Sequence, residues 1–462
     1  MFLGLDFGTS GARAVAVGEN GEVLAERAAR YCPPPPFGQP GGGGVGAGDG
    51  VRDAGAWRTA LSELLAGLPS ELRARACAIS VDGTSATCLV VDGGALRGRA
   101  ASGARTGSCA GALCPPLVPP AMYCDEAAAE GAEVAAACPL PAAAAPTSTL
   151  AKLAAWHAAG VGGGRAAWEG GKPPALLHQA DWLLLQLHGR CDGEGRTDFN
   201  NALKLGFDPA ADDYAPWVAR QAFAPALPRT VVAPGTSLGP VCPEARRAFG
   251  LPEGCQVCAG TTDSIAAFLA AGVDEPGGAV TSLGSTLALK LLSTERVEDA
   301  ASGIYSHKLR DGLWLVGGAS NVGGAALRQH FTDEEVVDLS ARLDPDTDSG
   351  LDFYPLPARG ERFPVADPYL EPRLNPVPED RARYLQGFLE GIARVEAEGY
   401  RKLEALGASR LTHVVTAGGG SVNEAWNRIR ARYLGVPVEA SRQKEAAYGA
   451  ALLALRSAAA PP

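Results

Sequence analysis

The chain lacks the run of about 18 uninterrupted apolar residues that a membrane span needs; its alanine-rich stretches are broken by Pro139, Pro141, Pro146 and by charges. A membrane protein is therefore not expected. It also lacks a concentration of positive charge: 41 Lys and Arg are interspersed with 51 Asp and Glu, for a formal net charge of −10. That argues against a nucleic-acid surface, which needs a basic patch, and for a small-molecule protein. Histidine is scarce, six residues scattered as His157, His178, His188, His307, His330 and His413, so zinc-ligand spacing is missing. Cysteine stops at Cys258; the eleven cysteines are odd in number and do not form a disulfide framework, which makes a reducing compartment the default. Cys255 and Cys258 make a CxxC, but no second pair accompanies it, and no metal or redox site is expected there. Cys109, Cys114, Cys124 and Cys138 carry no pattern that supports redox regulation. The first apolar strand begins next to Met1, leaving no room for a signal or transit peptide in the chain as given; a processed precursor could have lost one.

What is present is length and glycine. At 462 residues the chain exceeds what one hydrophobic core organises, so two domains with a cleft between them are expected. Turn signals and apolar runs divide it into 1–254 and 255–462, with the last helix packing back on the first domain. Residues 32–50, four prolines followed by four glycines in a row, read as a flexible surface insert. Elsewhere strands alternate with helices, which is the pattern of an α/β fold. A helix is expected from the spacing of Trp57, Leu61, Leu64, Leu65 and Leu68, another over His178–Leu187, and a long one through Leu385, Phe388, Leu389, Ile392, Val395, Leu403 and Leu406.

The most informative stretch is LGLDFGTSGARAVAV, Leu3 to Val17: an apolar strand, Asp6, a small polar turn, and a second strand. Gly8, Thr9, Ser10 and Gly11 let backbone N–H groups and two hydroxyls approach an anion, and Arg13 adds a positive charge. A tight turn at GENG, Gly18 to Gly21, and a third strand over Glu22–Glu26 make an antiparallel meander, unlike the opening of a dinucleotide-binding fold. The second half echoes this arrangement. An apolar strand runs into GTTDS (Gly260–Ser264), and glycine turns recur at LGST (Leu283–Thr286), GGASNVGG (Gly317–Gly324) and GGGSVN (Gly418–Asn423). GGASNVGG is not a P-loop, because Gly323-Gly324-Ala325 stands where Gly-Lys-Ser/Thr is required, and no GxGxxG sits in a βαβ context. Glycine turns at several strand ends suit a nucleotide whose phosphates need donors from more than one direction. Asp6 and Asp263 each place a negative charge within such a cradle, a conflict that Mg²⁺ would resolve.

The segments DFGTSGAR, VDGTSATCLVVD, GTTDS, SLGSTLALKLL, GGASNVGGAALRQ, GERFPVADP and GGGSVNEAW occur in the order found in FGGY-family carbohydrate kinases, and the resemblance covers nearly the whole chain. Through LLHQADWLL, FNNALKLGFD and TSLGSTLALKLLSTERVED it more closely resembles the branch from photosynthetic organisms taken as D-ribulose kinases. The resemblance implies two ribonuclease-H-like α/β domains, as in actin and Hsp70, around an ATP and sugar cleft. It implies Asp263 as the general base on the sugar hydroxyl and Asp6 as the carboxylate that orients sugar and Mg²⁺, both being metal-ligand candidates. Gly8, Thr9, Ser10 and Arg13 would meet the transferring phosphate. Gly284, Ser285 and Thr286 would form a second phosphate loop, and Gly419, Gly420, Asn423 and Trp426 would hold the adenosine. Ser85, Tyr123 and Asp125 resemble sugar contacts. Gly83-Thr84-Ser85-Ala86 stands where many relatives have Gly-Gln-Met-His, which removes the polar groups that meet xylulose.

The expected activity is ATP-dependent phosphorylation of a ketopentose, D-ribulose to D-ribulose 5-phosphate, by a monomer or homodimer with no nucleic-acid or membrane partner. D-xylulose, another pentulose, a polyol or glycerol remain alternative substrates, and an ATP-driven switch or an inactive sugar sensor remain alternative functions. Plant members of the branch suggest a chloroplast stroma, cyanobacterial ones a cytoplasm.

Overall fold

The computed structural model describes residues 1–31, 52–96, 113–169, 173–190, 195–310 and 312–459; the Gly/Pro-rich insert expected at 32–50 lies outside them. The chain forms two compact units, Met1–Ala270 completed by the segment from Glu445 onward, and Ala271–Lys444. The boundary expected after Gly254 therefore falls inside the first unit. The reason is strand pairing, as described next.

In the first unit, β1 (Phe2–Phe7) and β2 (Gly11–Val17) form the expected hairpin, and β3 (Val23–Arg30) continues it antiparallel, starting a residue later and running further than the Glu22–Glu26 reading. Helix α1 (Ala54–Gly67) follows, capped by Asp53, whose side chain accepts from Gly55 N. Strand β4 (Ala78–Gly83) then pairs parallel with β1, and β5 (Cys88–Val91) pairs with β6 (Ala175–His178) in a small separate sheet. Helices α2 (Thr149–Ala158) and α3 (Gln179–His188) flank β6 in sequence. The main sheet ends with β7 (Ser237–Pro240) and β8 (Gln256–Cys258), giving the order β7-β8-β4-β1-β2-β3. Because β8 lies parallel to β4, Gln256 opposite Ala78 and Cys258 opposite Ser80, it is tied to the first unit, and so is helix α4 (Asp263–Ala270) that follows.

Alternation along the strands explains why this sheet is buried on both faces. Leu3, Leu5 and Phe7 join Trp57, Leu61, Leu64 and Leu65 of α1 in one core. Phe2, Val15, Val17 and Ala78 join Ala447, Ala451 and Ala454 of the C-terminal helix Ala446–Ala459 on the other. Cys255 and Cys258 are both buried, and Cys258 Sγ lies 3.0 Å from Ser457 Oγ; burial pushes the Cys255 thiol up to about 12.

The second unit repeats the plan. Its strands are β9 (Gly278–Leu283), β10 (Leu287–Ser293), β11 (Tyr305–Arg310), β12 (Leu313–Ser320), β13 (His413–Ala417) and β14 (Val438–Ala440), in the order β11-β12-β10-β9-β13-β14. β9 and β10 are antiparallel, while β9, β13 and β14 run parallel. Helices α5 (Gly324–Arg328) and α6 (Asp333–Ser340) precede the long α7 (Arg381–Ala405), and α8 (Glu424–Leu434) follows β13. The expected α7 face is buried from Leu385 to Leu403, but Leu406 is the C-cap and 43% exposed. No helix among the described residues is long and apolar enough to cross a membrane.

Candidate active site

Parallel pairing of β1 with β4 sets Asp6 opposite Asp82 at the ends of two neighbouring strands, and residues opposite one another in a ladder share a face. Just beyond, Gly83 bridges to Thr262 and brings in the GTTDS turn, which runs so close to β4 that a Cβ on Gly260 would lie 1.7 Å from Val81 O. Asp263 then opens α4, where its carboxylate accepts from Ser264 N at 2.6 Å. The sequence pointed to Asp6 and Asp263; it did not point to Asp82, whose side chain is wholly buried.

Three carboxylates in one place repel. Burial first, then the charge of Asp263, raises the Asp6 carboxyl to about 6, although Asp82 and Arg13 pull the other way. Asp82 is raised well above the ordinary carboxylate range, by burial and then by Asp6 and Asp263. Asp6 Oδ1 and both Asp82 oxygens are buried without a hydrogen-bond partner. Gln179 Nε2 and Asn200 Oδ1 are likewise buried and unpartnered, while Gln179 Oε1 accepts from Thr84 N and Asn200 Nδ2 donates to Thr261 Oγ1. Unpaired buried polar atoms are rare in native proteins and call for a water, an ion or a ligand. Gln179 and Asn200 were missed because neither sits in a glycine turn.

The β1–β2 turn closes through Gly8 N to Gly11 O at 3.0 Å, leaving Thr9 and Ser10 exposed. Arg13, opposite Asp6 in the hairpin register, pairs with Glu445 at 3.1 Å, a partner the sequence did not suggest. Ser85 is half-buried in the turn after β4. Tyr123 is 43% exposed, and its N–H donates to Thr87 Oγ1. Asp125 is engaged elsewhere: its carboxylate accepts from both ends of the Arg52 guanidinium and from Met122 N, and Arg52 holds it below its usual range. Its geometry is that of a loop-holding residue.

In the second unit a cavity of about 860 Å³ is lined by Gly284 and Ser285 from the β9–β10 turn and by Gly419, Gly420, Asn423 and Trp426 from the turn into α8. Six of the seven expected second-unit residues thus converge; Thr286 is exposed beside them but does not line the cavity. Gly420 is required there, since a Cβ would lie 2.8 Å from both Leu283 Cδ1 and Trp426. Asn423 caps α8 by accepting from Trp426 N and reaches Ser340 Oγ with its amide at 2.8 Å. Trp426 is 4% exposed and donates to Leu389 O, so it supports the cavity floor. Val337 and Val422, 71% and 75% exposed, are apolar wall residues that the sequence reading passed over. Such a lining suits a flat heterocycle, and Arg328 and Arg428 stand in it with Asp333 and Glu424, so it carries charge of both signs.

Residues 279–458 match the model of the C-terminal domain of the FGGY family of carbohydrate kinases. An L-fuculokinase from Salmonella typhi is 27% identical over 294 residues, 58% of this chain and 58% of that protein. One from Escherichia coli K12 is 24% identical over 61% of each. The chain thus spans about three-fifths of the length of these curated relatives. Among solved structures, a xyloylose kinase from Brucella ovis superimposes with a TM-score of 0.78 at 23% identity, covering 100% of this chain and 91% of the other. Plasmodium falciparum glycerol kinase with ADP gives 0.77 at 16% identity, over 99% and 89%. The fold is the two-domain α/β fold of the sugar kinases, with the ribonuclease-H-like sheet order in each unit.

Proposed function

We propose that the protein is an FGGY-type carbohydrate kinase that transfers the γ-phosphoryl group of ATP to a ketopentose, D-ribulose, giving D-ribulose 5-phosphate. The observation that carries this reading is the group Asp6, Asp82 and Asp263, with buried unpartnered polar atoms around it, at the strand ends of the first unit. Such a group suits a polyhydroxylated acceptor. Asp263 accepts the proton of the attacking hydroxyl as its oxygen bonds to the γ-phosphorus; the bond from phosphorus to the β,γ-bridging oxygen breaks, and ADP leaves. A positioned base of this kind contributes about 10²- to 10⁴-fold, and the rest of the catalysis is positioning and charge neutralisation. Asp6 orients the sugar.

Asp6 and Asp263 would hold Mg²⁺, which when bound neutralises phosphate charge. Asp6 fits: its Oδ1 is buried without a hydrogen-bond partner, and the neighbouring charge of Asp263 raises its carboxyl, a setting that favours a cation. Among the described residues no group of three His, Cys, Asp or Glu side chains is placed to hold a metal ion; Mg²⁺ is commonly held by one or two carboxylates together with substrate phosphates. In the second unit the cavity between Ser285 and Asn423 takes the nucleotide, its apolar walls facing the base and its glycine turns the phosphates.

The choice of D-ribulose over D-xylulose rests on the resemblance and on Gly83-Thr84-Ser85-Ala86, which lacks the polar side chains of xylulose kinases. A coupled ATP-consumption assay with D-ribulose, D-xylulose, L-fuculose and glycerol tests it. The expected result is the highest kcat/KM with D-ribulose. Preference for another sugar would overturn the substrate, and sugar-independent ATP hydrolysis would replace the kinase reading by a nucleotide switch.

A further inference from the structure

Lys152, in α2, is 3% exposed, an unusual place for an ammonium group. Its neighbours on the helix, Leu150, Leu153 and Ala154, belong to an ordinary apolar core. For core packing alone, methionine or leucine would serve this position without the cost of burying a charge. The ammonium instead donates to two main-chain carbonyls in irregular segments far apart in sequence, Ala86 O at 2.9 Å and Met122 O at 2.6 Å.

Those two carbonyls lie beside the residues expected to meet sugar. Ala86 follows Ser85 and holds φ at 64°, a left-handed conformation that costs an alanine roughly 1–2 kcal/mol and persists only where the surroundings impose it. Met122 precedes Tyr123. The same segments are joined a second time by Tyr123 N to Thr87 Oγ1 at 3.1 Å, and a third by reciprocal bonds between Cys88 and Ala121. The Thr87 hydroxyl is hydrogen-bonded to that of Thr84, and Thr84 N in turn donates to Gln179 Oε1. The turn after β4 and the 121–125 segment therefore form one braced body with Lys152 at its centre.

We infer that Lys152 is a positioning residue for substrate selection, a buried strap that holds the Ser85 turn and the Tyr123 segment in the geometry that fits the acceptor sugar. This rests on the sugar-kinase reading above. Burial lowers the ammonium below the usual lysine range, with Cys88 and Asp125 pulling it back up.

The test uses the full chain and Lys152→Met, which keeps length and apolar volume and removes the donors. Steady-state kinetics and backbone hydrogen exchange over residues 84–88 and 121–125 are measured together. The expected result is a rise of at least tenfold in KM for D-ribulose, KM for ATP within twofold of wild type, and faster exchange in both segments. Lys152→Gln, which retains donors, should restore part of the sugar KM, and it serves alone if the methionine variant does not fold. Unchanged sugar KM and unchanged exchange in a folded variant would overturn the inference. So would equal losses in both KM values with a lowered Tm, the mark of a merely structural role. If wild type phosphorylates no sugar in the panel, the functional reading fails instead, and the exchange data still decide whether Lys152 braces the two segments.

Discussion

At the scale of single residues, the pairing of Asp6 with Asp82 makes stability depend on pH in an uncommon direction. Both carboxyls titrate higher folded than unfolded, so the folded state binds their protons more tightly. Their favourable contribution is complete below the unfolded value of 3.8 and is lost as pH rises through about 6, the folded value of Asp6. For Asp6 that shift is worth on the order of 3 kcal/mol at most. Asp82→Asn removes one of the mutually repelling charges. In protein free of nucleotide and divalent cation, it should raise Tm relative to wild type by more at pH 8 than at pH 4.5; an equal difference at both pH values would show that the pair does not share its charge burden. Asp263 is a different case, because it opens a helix and is only half-buried. Asp263→Asn should lower kcat about 10²- to 10⁴-fold while leaving the ADP dissociation constant unchanged, and near-normal turnover would remove Asp263 from the base role.

Between elements, the closest fit is made by what is small. A Cβ on Gly4 would lie 2.0 Å from Ala447 O, and one on Gly449 would lie 1.9 Å from Ala266 O. The alanine-rich C-terminal helix thus lies with its backbone against β1 on one side and against α4 on the other. Neither close approach has a flexible side chain to give way, so Gly449→Ala should destabilise the protein by about 3 kcal/mol, read as a lower denaturant midpoint with unchanged m; wild-type stability would mean the helices can separate at little cost. Why parts of this were legible in sequence and parts were not follows from the same geometry. The β1–β2–β3 meander and the buried α7 face were readable, because turn residues and apolar period act within a few positions. The GGGSVN turn that carries Gly419, Gly420 and Asn423 was readable because backbone turns that need glycine leave a local mark, whereas its expected role came from the family resemblance. Asp82 was not found, since its importance comes from register against β1, and Lys152 was not, since its partners are carbonyls in distant segments. The bonds that the Asp125 carboxylate accepts from Arg52 and Met122 N left no local mark either.

For the whole molecule, the decisive fact is that the chain leaves its first unit at Ala270 and re-enters it at Glu445. Sequence reading set the boundary after Gly254 because GTTDS resembles a fresh start, whereas strand pairing keeps β8 and α4 with β4. One face of the first sheet, with Phe2, Val15, Val17 and Ala78, is therefore covered by a helix more than 360 positions downstream of the strands it covers. Each large apolar side chain left exposed there forfeits about 1.5–3 kcal/mol, and several together approach the roughly 5–15 kcal/mol that stabilises a typical domain. The second unit has its own core around Leu385, Phe388, Leu389 and Ile392, and every residue lining the cavity of about 860 Å³ belongs to it. Ending the chain at Lys444 should consequently unfold the first unit while sparing the second. Limited proteolysis of that truncated chain is expected to leave a resistant fragment close to Ala271–Lys444, further protected by ADP, with the first unit digested. A truncated chain as resistant throughout as the full-length protein would show that the C-terminal helix covers the sheet without being needed to hold it together.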